Sequence, residues 1–186
     1  MNKQQDITAA ALKLFVEYGF HGTPTSKIAK EAGVANGTLF HYYKTKEDLI
    51  VSLYIDIKLK MACYAEAIIA TETDFKKRLE KQFIAVLNWA MEHDDEFRYL
   101  QQFYSSPFVA KIKSEALLEI TAKNCGEFMN AIQSNTIKKM PVEYSMTLLT
   151  SHTFGLHQYL RTAALDEAEK KKMIQYTFDL LWNMLT

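Results

Sequence analysis

A run of polar, non-acidic side chains near residue 40 has the composition of a surface that binds phosphate groups and base edges. Asn36, Thr38, His41 and Tyr42 would lie within two turns of one helix, and Lys46 follows closely. Hydroxyl and ammonium groups donate hydrogen bonds to phosphate oxygens, whereas Asn and His side chains recognise base edges. The residue types and their spacing therefore favour contact with a nucleic acid.

Ordinary structural roles compete with this interpretation. The adjacent tyrosines at this point could form a half-buried aromatic pair, and for Tyr43 we favour burial. Lys46 precedes Glu47 and Asp48, which suit the first turn of a solvated helix because acidic side chains stabilise its positive end. For Lys46 we favour the functional role. For His41, the sequence leaves both roles open.

Global charge does not support either interpretation. The 186 residues contain 22 basic and 22 acidic side chains. Residues 1–50 contain six lysines against five acidic residues, and the remainder has 16 basic against 17 acidic residues. Because no basic field exists, affinity for phosphate must come from local placement.

Short helices separated by glycine must position these side chains. A first helix over residues 3–18 ends at Gly19. A second helix begins either with Thr23 as its cap and the following proline as its first residue, or with Thr25 as the cap. Gly33 ends it, and a third helix starts two or three residues later. Two short helices joined at a glycine form a helix-turn-helix, although similar corners also serve packing alone.

The rest of the chain predicts longer amphipathic helices, because breakers are rare and no strand-like alternation occurs. The predicted helices cover residues 47–71, 75–93, 96–105, 109–135 and 141–164, with a last helix capped by Asp166 and reaching residue 184. The fold is therefore predicted to be all-α with about nine helices. We expect an amino-terminal helix-turn-helix domain of three helices over residues 1–48 and a larger helical domain over residues 49–186.

Residues 7–50, ITAAALKLFVEYGFHGTPTSKIAKEAGVANGTLFHYYKTKEDLI, resemble the amino-terminal DNA-binding domain of the tetracycline-repressor (TetR) family of bacterial regulators. The submotifs LKLF, IAKEAGV, GTLFHYY and TKEDL occur in the family's order, which is more specific than one short motif. The resemblance implies these phosphate contacts: Thr25, Thr38, Tyr42 and Lys46. It implies that these residues face the bases: Ser26, Asn36, Gly37 and His41.

One residue of the third helix departs from the family pattern. Phe40 stands where tyrosine is common, so a hydroxyl contact to the DNA backbone would be missing there, and contact with a thymine methyl group stays open. The resemblance also implies four core residues: Phe15, Ile28, Leu39 and Tyr43.

The larger carboxy-terminal part has enough sequence for a task of its own. The resemblance implies that the last two helices form a four-helix bundle with a second copy, and that the preceding helices enclose an effector pocket. Apolar residues on more than one side of both helices permit this arrangement, but periodicity does not separate it from burial within one chain. Five aromatic residues are candidates for the pocket, although such stripes more often form core: Trp89, Phe103, Tyr104, Phe108 and Phe128.

No catalytic or metal-binding pattern accompanies these features. Cys63 and Cys125 have no ligand spacing around them and are expected to be reduced, buried thiols. His152 and His157 lie five residues apart, which does not place both imidazoles on one metal. No histidine follows a glutamate by three positions, and GxSxG and HExxH are absent. We expect no metal and no cofactor.

The start of the sequence lacks the apolar region of a signal peptide, and no stretch is long and apolar enough for a membrane span. We therefore expect no membrane partner and a cytoplasmic protein. The resulting hypothesis is a homodimeric repressor that binds a palindromic operator and is released by a small, mostly apolar effector. The alternatives are a DNA-binding helical protein without an effector and, less favoured, an all-helical enzyme.

Overall fold

The computed structural model of the chain describes residues 2–186, and these residues form nine α-helices, one 3₁₀ helix and no strand. The predicted all-α class is confirmed. The α-helices are α1 Lys3–Tyr18, α2 Thr25–Glu31, α3 Asn36–Tyr42, α4 Lys46–Ile69, α5 Phe75–Glu92, α6 Asp94–Tyr104, α7 Glu115–Gln133, α8 Val142–Thr162 and α9 Glu167–Leu185.

The predicted helix boundaries agree best with the structure where the sequence contains a capping residue. The bounds predicted for α1 are correct, and Asp166 caps α9. Its carboxylate accepts a hydrogen bond of 2.8 Å from the Glu169 backbone N–H, and the Glu169 carboxylate accepts one of 2.9 Å from the Asp166 N–H. This reciprocal pair satisfies two N–H groups that the first turn of a helix leaves without partners.

The largest boundary error lies before α7. The helix predicted from residue 109 begins at Glu115, because Pro107–Lys111 instead form a 3₁₀ helix. Ser106 initiates that turn, since its hydroxyl oxygen accepts a hydrogen bond of 3.3 Å from the Phe108 N–H. The extended backbone of Ile112 then separates the two elements.

The chain divides into two compact units. The first comprises Met1–Leu59 and His93–Ser114, and the second comprises Lys60–Glu92 and Glu115–Thr186. Packing thus assigns the first half of α4, together with α6, to the amino-terminal helices. The predicted boundary at residue 48 separates a DNA-binding part from the rest of the chain by function. Packing does not test this boundary, so it stays a prediction.

An aromatic cluster forms the centre of the first unit. The Phe20 ring makes edge contacts with three neighbours, at centroid distances of 5.3 Å to Phe15, 5.4 Å to Tyr99 and 5.6 Å to Phe108. The buried Tyr99 hydroxyl donates a hydrogen bond of 2.8 Å to the Ile50 carbonyl. The cluster therefore connects α6 to α1 and α4, and it supports the helices that carry the polar surface.

The core of the second unit lies among α5, α7, α8 and α9. Phe83 and Phe178 are both buried, with ring centroids 5.9 Å apart. Arg78 joins three segments at the edge of this core. Its guanidinium donates to the Ile69 carbonyl at 2.8 Å and pairs with Glu127 at 3.1 Å.

The prediction that both cysteines are buried is wrong, because Cys63 is exposed and Cys125 is half-buried. On α4 the inward stripe runs through Met61, Ala65 and Ile69, which are four residues apart. A residue two positions after Met61, such as Cys63, is turned by about 200° and points away from that stripe.

No helix within residues 2–186 is both long and apolar enough to cross a membrane.

Candidate nucleic-acid interface

The connection between α1 and α2 is held by a buried threonine. Thr23 is fully buried, and its hydroxyl donates toward the carbonyl groups of Leu14 at 3.1 Å and Gly19 at 2.8 Å. It therefore binds the end of α1 and does not cap α2, so that prediction is wrong. The alternative cap, Thr25, is also wrong, because it is already the first helical residue.

The turn between α2 and α3 depends on a left-handed glycine. Gly33 has φ +65°, a conformation that costs other L-residues about 1–2 kcal/mol. The Val34 N–H donates to the Ala29 carbonyl at 3.0 Å, and the Gly33 N–H donates to the Lys30 carbonyl at 3.2 Å. These bonds satisfy the last carbonyl groups of α2 and redirect the chain into α3.

One face of α3 is anchored and the other faces solvent. Leu39 is fully buried, and Tyr43, which follows the helix, is buried with its hydroxyl accepting a hydrogen bond of 3.3 Å from Gln4 Nε2. Asn36, Gly37 and His41 are exposed on the remaining surface. The predicted burial of Leu39 and Tyr43 is confirmed, as it is for the core residues of α1 and α2, and the polar residues are left accessible.

Both short helices begin without a side-chain acceptor. Pro24 is the N-cap of α2 and Ala35 is the N-cap of α3, each with an extended backbone. Neither side chain can accept a hydrogen bond. The Lys27 N–H donates to the Pro24 carbonyl at 3.1 Å and the Thr38 N–H donates to the Ala35 carbonyl at 2.9 Å. Within residues 2–186, the first two N–H groups of each helix are therefore the ones available to external acceptors, and phosphate oxygens are ligands of this kind.

The start of α4 is fixed by a capping pair that the sequence analysis missed. The Thr45 hydroxyl accepts from the Asp48 N–H at 3.1 Å, and the Asp48 carboxylate accepts from the Thr45 N–H at 3.0 Å. The spacing T-x-x-D was the available signal. Lys46 lies inside this rigid turn and is half-buried, and burial lowers the pKa of its ammonium group below the ordinary value. A charge that has lost part of its hydration gains from an anionic partner.

Two of the other lysines in this segment have partners within the protein. Lys13 pairs with Glu31 at 2.6 Å, and Lys27 lies 3.3 Å from the centroid of the Tyr18 ring. Both contacts join α1 to α2 at the surface. They stabilise the packing of α1 against α2. Because Lys13 and Lys27 have these partners, Lys46 is a stronger candidate than either for a phosphate contact.

The eight residues predicted to contact DNA all lie on α2, on α3 or at the first position of α4. Ser26 and Tyr42 are exposed, whereas Thr25 and Thr38 are half-buried. The structure thus brings them onto neighbouring short elements, and their individual roles stay predictions. Phe40 is 37% exposed on the same helix, a large apolar side chain among polar neighbours.

The aromatic residues predicted to line a pocket are divided between the two units. Phe103 is fully buried and stacks on Tyr54 at 3.8 Å, and Phe108 belongs to the aromatic cluster described above. In the second unit, Trp89 is buried, and Phe128 makes an edge contact with the half-buried Phe75. Tyr104 is the exposed member of the set. Packing accounts for much of this group, and a role in a pocket stays a prediction.

No group of three histidine, cysteine, aspartate or glutamate side chains within the described chain has the arrangement of a metal site.

A polar helix anchored by one apolar stripe and joined to its neighbour by a glycine turn is a helix-turn-helix, the architecture of DNA-binding transcription regulators.

Comparison with known proteins supports the assignment to DNA-binding transcription regulators. Residues 7–53 match the bacterial regulatory proteins of the TetR family. A TetR-family transcription regulator from Shewanella sp. PV-4 has 30% identity to this chain and a TM-score of 0.89, over 100% of this chain and 98% of that one. The chain belongs to the TetR family.

Two further relatives show how the similarity is distributed. The fatty acid metabolism regulator protein of Bacillus subtilis (strain 168) is 42% identical over 76 residues, which span 41% of this chain and 36% of that protein. The fatty acid degradation regulator FadR from Bacillus halodurans shares the fold, with a TM-score of 0.75, 20% identity and coverage of 98% and 95% of the two chains. The match to the Bacillus subtilis relative thus covers little more than a third of its length.

Proposed function

We propose that this chain is a homodimeric transcriptional repressor that binds a palindromic operator in the cytoplasm and is released from it by a small, mostly apolar effector. The observation that carries the proposal is the polar face of α3, held outward by the burial of Leu39 and Tyr43. Membership of the TetR family supports the DNA-binding part.

In this proposal α3 enters the major groove. Asn36, Gly37 and His41 face the bases. Gly37 permits a close approach because it has no side chain and opens to solvent, with no protein atom within 4 Å of a Cβ atom placed there. The hydroxyl groups of Thr38 and Tyr42 bind phosphate oxygens on the flanks, as Thr25 and Lys46 do from the adjoining helices. Ser26, exposed on α2, reaches the edge of the groove.

A second copy of the chain would bind through α8 and α9. Three large apolar side chains stand exposed there, with Tyr176 at 57%, Leu180 at 45% and Tyr159 at 47%. The last of these borders an open groove of about 380 Å³ between the two helices, which also includes Gly155 and Met173. Apolar surface of this kind supports association of helices into a bundle.

Release by an effector would follow from linkage between two binding sites. An effector that favours a spacing of the two recognition helices incompatible with the operator weakens DNA binding, by about 1–3 kcal/mol in typical cases. Saturating operator must then weaken effector binding by the same factor. Effector affinity that is unchanged by saturating operator would exclude this mechanism.

The proposal is tested by selecting binding sites from random duplex DNA with the purified protein. We expect a palindrome whose half-sites lie about one helical turn or more apart. Lys46→Ala should reduce the enrichment, whereas Lys139→Ala, which removes an exposed lysine of the second unit, should preserve it. Failure of the wild-type protein to enrich any sequence at low salt would contradict the proposal.

Selection with two further variants tests base recognition. Asn36→Ala and His41→Ala should each change the preferred base at one position of the half-site, at a cost of about 1–3 kcal/mol for the original base. If neither variant changes the selected sequence, other residues recognise the bases.

A further inference from the structure

A side chain on the first turn of α1 contacts the residue that ends α3. Gln4 lies on that first turn, and its Nε2 donates a hydrogen bond of 3.3 Å to the Tyr43 hydroxyl, across 39 positions of sequence. Tyr43 is the C-cap of α3. The family match begins at residue 7, so it assigns no role to Gln4.

The helix α3 depends on contacts of this kind because it has only seven residues. A helix of two turns is marginal by itself, so packing must fix its direction. Leu39 is fully buried in the middle of the helix, and Tyr43, four residues later, is 5% exposed. Side chains at this spacing lie on one face. Tyr43 therefore anchors the end of α3, as Leu39 anchors its middle.

The Tyr43 hydroxyl is the polar end of an otherwise apolar, buried side chain. Burial of the ring has no preferred direction, whereas a hydrogen bond has a narrow range of distance and angle. A buried hydroxyl without a partner is destabilising, and Gln4 provides a partner. The bond thus selects one position of the Tyr43 ring among those that burial permits.

The backbone of Gln4 is itself held by the cap of α1. The Asn2 side chain accepts a hydrogen bond of 3.1 Å from the Gln4 backbone N–H. The Asp6 N–H donates to the Asn2 carbonyl at 3.1 Å and closes the first turn. Only the side chain of Gln4 must therefore be ordered for its amide to reach Tyr43.

The end of α3 that Gln4 contacts carries two of the predicted DNA contacts. His41 and Tyr42 directly precede Tyr43, and both are exposed. Their rings make an edge contact at a centroid distance of 5.5 Å. A displacement of Tyr43 would therefore move a predicted base contact and a predicted phosphate contact together.

We propose that Gln4 is a positioning residue for DNA recognition. Through its hydrogen bond to Tyr43 it sets the placement of His41 and Tyr42, and it does not contact DNA itself. This inference rests on the proposed function, because it requires that α3 binds the operator. A direct contact between the Gln4 amide and a phosphate is the competing role, and the variants below distinguish the two.

The first measurement uses the full-length protein without DNA. Hydrogen exchange, followed by NMR, reports opening at the Tyr43 N–H, which donates to the Leu39 carbonyl at 2.9 Å. Gln4→Ala should accelerate this exchange about threefold or more, as for the loss of one hydrogen bond, and leave the Val34 N–H of the glycine turn unchanged. Gln5→Ala is the matched control, because it removes the same side chain from the next exposed position. Exchange that is unchanged in Gln4→Ala, or equally fast in Gln5→Ala, overturns the proposal.

The second measurement is affinity for operator DNA that the wild-type protein has selected, read by fluorescence anisotropy. Gln4→Ala should weaken binding about threefold to tenfold. Tyr43→Phe removes the acceptor and should cause a similar loss, so the double variant should bind no more weakly than Tyr43→Phe alone. Additive losses would mean that Gln4 acts independently of Tyr43, as a direct phosphate contact would, and they reject the positioning role.

A third comparison gives a readout that a merely structural role would not change. The loss caused by Gln4→Ala should shrink to less than about twofold in a His41→Ala/Tyr42→Phe background, because the groups that it positions are gone. It should persist in an Asn36→Ala background, since Asn36 lies at the other end of α3. An equal loss in both backgrounds contradicts the proposal.

Failure of this inference differs from failure of the proposed function. A wild-type protein that binds no DNA contradicts the proposed function. A wild-type protein that binds the operator no more tightly than Gln4→Ala does contradicts only the role of Gln4.

Discussion

The exposed surface of α3 and the exposed surface of α8 and α9 differ in the chemistry that they present to water. The first is mainly polar, with Phe40 as one exposed apolar side chain, and is anchored by the buried Leu39, whereas the second presents mostly apolar side chains such as Tyr176 and Leu180. Polar groups remain hydrated while no ligand is bound, so the α3 surface is stable whether or not DNA is present. Exposed apolar area is unfavourable in water, so the α8 and α9 surface gains stability when a partner covers it.

The largest effect should come from charging the apolar surface. Leu180→Glu places a carboxylate in the proposed interface between copies, and we expect a monomer whose affinity for a palindromic operator falls about 100-fold or more, because bivalent binding is lost. Analytical ultracentrifugation and fluorescence anisotropy with operator DNA measure the two effects. Lys172→Gln is the control, since it changes the net charge by the same amount at another exposed position of α9. If the Leu180→Glu protein remains a dimer, the exposed apolar surface of α8 and α9 is not the interface between copies.

Alanine substitutions at two glycines of the helix-turn-helix should have different effects on protein stability and on DNA binding. Gly33→Ala should lower the free energy of unfolding by about 1–2 kcal/mol, because alanine is strained at a φ of +65°. Gly37→Ala should raise it by up to about 1 kcal/mol, since the position is helical and open, yet weaken operator binding by adding a methyl group at the DNA surface. Urea denaturation and anisotropy measure the two quantities. Equal loss of stability in both variants would contradict the assignment of the turn to Gly33.

Lys46 should affect DNA of every sequence equally. Lys46→Ala removes one phosphate contact, so we expect about tenfold weaker binding and a salt dependence whose slope is smaller by about one. Affinities for operator and unrelated DNA, each measured at several salt concentrations, decide the outcome, and Lys139→Ala serves as the reference. A loss confined to the operator would make Lys46 a residue that recognises sequence.

The smallest predicted effect concerns Phe40. If its exposed ring contacts a thymine methyl group, replacing that thymine by deoxyuridine should weaken wild-type binding by about 0.8 kcal/mol, or roughly fourfold. Phe40→Ala should bind the two DNA duplexes equally. Substitution of each thymine of the half-site in turn, with affinity as the readout, identifies the contacted base. If no position shows the difference in the wild-type protein, the ring does not contact a thymine methyl group.

Local patterns predicted the fold well where the determining contacts are close in sequence. The bounds of α1 and the cap of α9 depend on residues within one turn of the helix end, so they were predicted correctly. The capping pair of Thr45 and Asp48 was also local and was overlooked. The start of α7 was wrong, because Pro107–Lys111 form a 3₁₀ helix instead. Its cap at Ser106 is local, but the contact of Phe108 with the Phe20 ring joins residues far apart in sequence, and a local pattern does not contain it.

The positions of the eight candidate DNA contacts followed from the sequence, because the glycines and the linked submotifs of residues 7–50 define a helix-turn-helix. The tertiary structure alone decided which neighbours each side chain has. Thr23 binds the end of α1, and Lys58 meets Tyr104 across 46 positions of sequence. The physical reason is range: helix propensity and capping act within a few residues, whereas burial and charge pairing depend on which helices pack together.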